Sequence, residues 1–204
     1  VMAVMATSAR RLGKWLILIA LLGAPLAVLG LYRPARMLIP RLVGLSCTER
    51  GICLDESGQA SRADSLFREA VQFVDSVVGP IGRPPRVVFC ATSSCARTFG
   101  LGRATARTTP MGIVFGPRAW EPHYVRHELI HHVQLERLGF WRLGPVRRWR
   151  SPEWLLEGMA YALSDDPRAE LAEPFEGYRT RFIAWYRTVG PAELWTAARQ
   201  LEPD

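Results

Sequence analysis

The chain has 204 residues, 49% of them hydrophobic, enough for a domain with a buried core and too apolar for an intrinsically disordered protein. Its net charge is +7, and residues 1–48 supply +6 of it through Arg10, Arg11, Lys14, Arg33, Arg36 and Arg41, with no acid among them. Residues 49–204 are nearly neutral, which argues against nucleic acid as a partner, because such a domain concentrates its positive charge in the folded part.

Residues 1–14 read as a basic tail. Trp15 to Tyr32, WLILIALLGAPLAVLGLY, is uncharged and flanked by arginines and lysine on both sides, and its length reaches the short end of what crosses a bilayer. It is expected to be a transmembrane anchor. A cleaved signal segment is the alternative, with WLILIALL as its apolar region and small residues around Ala24–Ala27. Basic residues are balanced across the span, so charge does not orient it.

Residues 33–58 look irregular, with prolines, glycines and two cysteines, and read as a stem closed by a short disulfide loop. The four cysteines fall as close pairs, Cys47/Cys53 and Cys90/Cys95. Three connectivities are open to them. Local pairing would close CTERGIC and CATSSC, as expected for a chain exported to an oxidising compartment, periplasmic or cell-surface.

A catalytic-sized domain is expected over 59–204. Leu66, Phe67, Ala70, Val71, Val74, Val77 and Val78 recur at helical spacing and predict a helix over 61–78, ended by Gly79-Pro80. Arg86–Cys90 and Met111–Phe115 are short β-type runs. Pro122 opens a helix that runs to Leu138 before Gly139. Residues 139–151 form a loop whose tryptophans and arginines suit a membrane surface or a cleft wall. Ser151 and Pro152 look like an N-cap and a first helical position, and the helix continues to Leu163. Residues 176–188 and 192–201 predict two closing helices around Gly190-Pro191. The order gives an α+β domain.

The chemistry lies in RHELIHH, residues 126–132. Residues four apart share a helix face, so His127 and His131 can address one ion, and two imidazoles suit Zn²⁺. Glu128, one residue round the helix, can reach a water on that ion and act as a general base. A third ligand is needed. No histidine follows His132, and the cysteines precede the motif. Glu157 stands alone in the apolar stretch EWLLEGMAYAL, where an unpaired carboxylate is costly, and is the preferred ligand. Glu153, beside the helix start, reads as a partner of the helix dipole. His132, one position past a ligand, reads as a packing residue or a support to the ligands, and His123 as a solvated histidine, with a place on the cleft wall as its alternative.

HELIH followed by EWLLEGMA at 153–160 resembles the gluzincin branch of zinc metallopeptidases, nearest to small, peptidase-MA-like members. The resemblance covers about residues 111–165. It implies a minimal zincin-like domain: a small β-sheet, the HExxH helix and a third-ligand helix. It implies zinc-dependent hydrolysis of peptide or protein substrates, with His127, His131 and Glu157 as ligands and Glu128 as the base. It further implies that Met111–Phe115 borders the cleft and pairs with an extended substrate. Related enzymes place a tyrosine or histidine from a later helix on the oxyanion; here Tyr161, Tyr178 and Arg179 are available, with Tyr178 preferred. Small members can be latent, so an activating protein partner belongs to the expectation. The rival reading is a non-catalytic, zinc-stabilised scaffold or binding module tethered to the membrane.

Overall fold

The computed structural model describes residues 21, 23, 24, 27–139 and 151–202. Among them, a five-stranded sheet carries helices on one face and a layer of turns with one short helix on the other. The sheet comprises β1 (Ser46–Cys47), β2 (Ile52–Leu54), β3 (Val87–Phe89), β4 (Ala106–Thr109) and β5 (Gly112–Phe115). Their order is β1-β2-β3-β5-β4, with β2, β3 and β5 parallel and both outer strands antiparallel to their neighbours.

The three central strands are buried along their whole length. Both faces are covered, so their sequences are continuous apolar runs without polar alternation. Ile52, Leu54, Val87, Phe89, Ile113 and Phe115 face the larger core, under the long helices. Cys53, Val88 and Val114 point the other way, into a smaller core with Met37, Leu45, Phe99 and Leu101.

The helices are α1 (Ala60–Val78), α2 (Ser93–Thr98), α3 (Pro122–Leu138), α4 (Glu153–Leu163) and α5 (Phe175–Gln200). The apolar spacing read in the sequence places α1 and α3 within a residue of their observed bounds. Helix α4 begins at Glu153, with Pro152 at the N-cap position, one residue later than expected. Helix α5 is two helices joined at Gly190, whose φ of 74° breaks the helical path just before Pro191. The side-chain hydroxyl of Thr92 caps α2 by accepting from the Cys95 amide at 3.2 Å.

Residues 33–58, expected as a stem, are part of the domain. Ser46–Cys47 and Ile52–Leu54 are strands of the sheet, and Ala35, Met37 and Leu45 are buried. The reason is the smaller core: without this segment, Val88 and Val114 would face water. The cysteines pair locally, Cys47 with Cys53 across the β1–β2 hairpin and Cys90 with Cys95. The apolar span 15–32 falls largely outside the described residues, although 27–31 are helical. Among the described residues, no helix is long and apolar enough to cross a membrane. The loop 140–150 lies outside the described residues.

Helix α4 lies so close to α5 that a Cβ on Gly158 would stand 2.3 Å from the Tyr178 carbonyl oxygen and 2.8 Å from the Phe182 Cβ. Neither group can yield, because one is backbone and Phe182 is fully buried. Gly158→Ala should therefore destabilise the domain by about 3 kcal/mol in a urea melt. A loss within experimental error would show that the helices do not approach as described.

Candidate metal centre

Helix α3 crosses the sheet with Val125, Leu129, Ile130 and Val133 turned into the larger core. The opposite turn of the helix then presents His127 and His131 to a cavity of about 870 Å³ between α3, α4 and β4. Glu157 reaches the same cavity from α4. The Nε2 atoms of His127 and His131 lie 3.1 Å apart. Each is 3.7 Å from one oxygen of Glu157. Ligand atoms roughly 2.0–2.1 Å from a tetrahedral ion stand roughly 3.3 Å from one another. One donor atom from each of the three lies within 4.8 Å of the others, so the group could hold a metal ion.

A buried glutamine fixes the geometry. Gln134 is fully buried; its Oε1 accepts from His131 Nδ1 at 2.8 Å, and its Nε2 donates to the Leu156 carbonyl on α4 at 2.9 Å. With Nδ1 donating, the Nε2 lone pair of neutral His131 is left for an ion. The same side chain ties the two ligand helices together, next to Glu157. Sequence reading passed over Gln134, although its place one turn after His131, between Val133 and Leu135, is a usable signal.

Glu128 is buried and lines the cavity. The Thr108 hydroxyl on β4 is 2.7 Å from its Oε2 and 2.8 Å from its backbone oxygen, donating to one at a time. This contact anchors the carboxylate to the sheet edge. Thr108 had no signal in the sequence, because ARTT shows little β-type patterning.

The strand expectation changes here. Met111–Phe115 corresponds to β5, which is paired on both sides, by β3 and β4. The strand at the cavity with an outer edge is β4, the last in the sheet order. Its sequence, ARTT, has no apolar run and only partly buried or exposed residues, which kept it from reading as a strand.

Tyr178 does not line the cavity. Its hydroxyl donates to Glu153, one turn before Glu157 on α4, at 3.4 Å. Arg179 holds Glu176 and the carbonyls of Arg168 and Ala169. Of the tyrosines that line the cavity, Tyr161 is beside the cluster, its ring centroid 4.5 Å from that of His127. Burial and the neighbouring Glu157 charge push its hydroxyl up to about 12, so it stays a donor at neutral pH. Arg168 lines the wall beside it, gripped by Asp166 through Nε at 2.8 Å and through Nη2. As expected, His132 stands apart from the cluster, with its Nε2–H donating to the Arg83 carbonyl at 2.7 Å.

Burial opposes charge on His131, but the Glu157 carboxylate outweighs it and lifts the imidazole from 6.5 to about 9 in the metal-free protein. Burial likewise opposes ionised Glu157, but His131 and His127 hold its carboxyl far below the usual range. Comparison with family models, with curated proteins and with solved structures finds no match.

Two outcomes are expected. A metal must displace the His131 proton, so zinc affinity should rise from pH 6 to about 9, with about one proton released per ion at neutral pH. The pair's own stabilisation runs the opposite way: it is complete below 6.5, the unfolded value, and is lost as pH rises through about 9. Calorimetry in buffers of different ionisation enthalpy reads the proton count, and no release would contradict the pairing. Gln134→Leu should lower zinc affinity roughly 10- to 100-fold, as measured by chelator competition; unchanged affinity would remove its orienting role.

Proposed function

We propose that this protein is a zinc-dependent peptidase of gluzincin type, anchored through residues 15–32 with its domain outside the cytoplasm. The observation that carries the reading is the joint placement of His127, His131 and Glu157 at one point, with buried Glu128 on the same cavity wall. Two imidazoles and one carboxylate, with a fourth position open, are the donor set of a hydrolytic zinc site, whereas magnesium and calcium prefer oxygen alone. A bound zinc ion would polarise the scissile carbonyl and acidify a water.

The chain's own groups perform the remaining work. Glu128, held by Thr108, takes a proton from the attacking water as the C–O bond forms. It then delivers that proton to the amine nitrogen as the C–N bond breaks. Tyr161 donates its hydroxyl proton in a hydrogen bond to the developing oxyanion, the role earlier given to Tyr178. The outer edge of β4 offers backbone groups to an extended peptide substrate. Two disulfides beside an apolar N-terminal segment favour an exported, membrane-held domain.

Glu128→Gln should reduce kcat on a peptide library by roughly 10³-fold while leaving zinc content unchanged. Tyr161→Phe should reduce kcat by roughly 10-fold or more with little change in KM. Full activity in Glu128→Gln would overturn the mechanism.

A further inference from the structure

The near-neutral total of residues 49–204 conceals a segregation of charge. No aspartate or glutamate occurs in residues 1–48 or 85–120. All 19 acids lie in the other parts of the chain, while residues 33–48 and 85–120 carry eight arginines. These two acid-free stretches pack on each other. Met37 and Leu45 share the smaller core with Cys95, Phe99 and Leu101. Arg33 Nη1 donates to the Arg97 carbonyl at 3.4 Å, and Arg36 Nη1 to the Thr98 carbonyl at 2.9 Å. Besides supplying strands of the sheet, they form the turns and the short helix α2 that cover it on the side away from α1 and α3. Among the described residues, two acids from outside touch these stretches: Asp55 is engaged by the amides of Ala91 and Thr92 and by the Thr92 hydroxyl, and Glu128 by the Thr108 hydroxyl.

The same layer exposes apolar side chains. Leu31 is 88% and Leu42 82% accessible, and Tyr32 and Leu38 are exposed beside them. Arg41, Arg97 and Arg103 are exposed on the same acid-free segments. The helical turn 27–31 that leads into this layer is not on a loose tether: Arg36 Nε donates to the Leu29 carbonyl at 2.9 Å while its Nη1 holds Thr98. One guanidinium thus clamps the end of the apolar segment to the domain.

We propose that this acid-free layer docks flat on an anionic phospholipid surface, with the leucines in the headgroup region and the arginines on the phosphates. The proposal rests on the reading that the apolar segment 15–32 enters a bilayer. Continuity with that segment and charge complementarity select a membrane over a protein partner. Leucines interspersed among the arginines select lipid over nucleic acid, whose backbone offers nothing apolar. Tyr32, at the entry to this layer, and Arg107, on β4 with its Nη1 donating to the Gly100 carbonyl within the layer, also line the metal cavity. Docking therefore brings the cavity rim to the headgroups, and the substrate it favours is a peptide segment emerging from the membrane.

The test is hydrogen exchange of the full chain reconstituted in phosphatidylcholine vesicles, with or without about a third phosphatidylglycerol. Peptides covering 33–45 and 97–107 should exchange roughly 10-fold more slowly in the anionic vesicles. The effect should disappear at ~1 M salt. It should also disappear in the triple variant Arg41→Glu, Arg97→Glu, Arg103→Glu, whose residues lie outside the metal site. Equal exchange in both vesicle types would overturn the proposal, as would protection by a duplex oligonucleotide but not by vesicles. Zinc content and peptide hydrolysis read on the same samples separate a failure of docking from a failure of the peptidase reading.

Discussion

A carboxylate on an apolar helix has to find a positive partner, and this requirement organises the molecule around Glu157. Its α4 neighbours Leu155, Leu156, Met159 and Ala160 are all in the core. The acid is tolerated because two imidazoles meet it from α3. For that meeting α4 must lie close to α3 and be held at a fixed height along it. Gln134 sets the height by spanning from His131 to the Leu156 carbonyl, and Gly158 lets α5 press α4 inward from behind. In the metal-free state, the His131 proton serves as the counter-charge that a divalent ion would otherwise supply.

How much of this was legible in the sequence follows from the kind of signal each part carries. The ligand helices announced themselves, because 3.6-residue apolar spacing and HExxH are local patterns that a helix preserves. Glu157 was legible by contrast with its apolar surroundings, and the cysteine pairing by proximity. What stayed hidden depends on partners far along the chain. Thr108 matters only because β4 lies against α3, and ARTT carries no pattern that says so. The segment 33–45 looked like a stem because its 3₁₀ turns have no periodicity, yet Met37 fills a core that only the folded sheet defines. Tyr178 was preferred over Tyr161 because a later helix was expected to supply the donor; Tyr178, on α5, reaches Glu153, whereas Tyr161, on α4 one turn after Glu157, lines the cavity beside His127.

Summed charge was the weakest guide. A balance near neutrality over 49–204 is compatible with charges mixed everywhere or with charges parted onto opposite layers, and only the fold decides between them. Here acids and arginines are mixed along the β1–β2 hairpin, α1 and the helices that follow β5, whereas the chain that covers the other face of the sheet carries arginines alone. The metal cavity lies at the boundary between the two, walled by β4 on one side and by the ligand helices on the other.

The central claim is that three side chains from two helices form one metal site. It is tested most directly by the zinc content of the purified full-length protein beside its Glu157→Ala variant, with both shown to be folded by circular dichroism. About one zinc per chain in the wild type, and a small fraction of that in the variant, is the result this account predicts. Folded wild-type protein that takes up no zinc when it is supplied, or a variant that holds it as tightly, would contradict it.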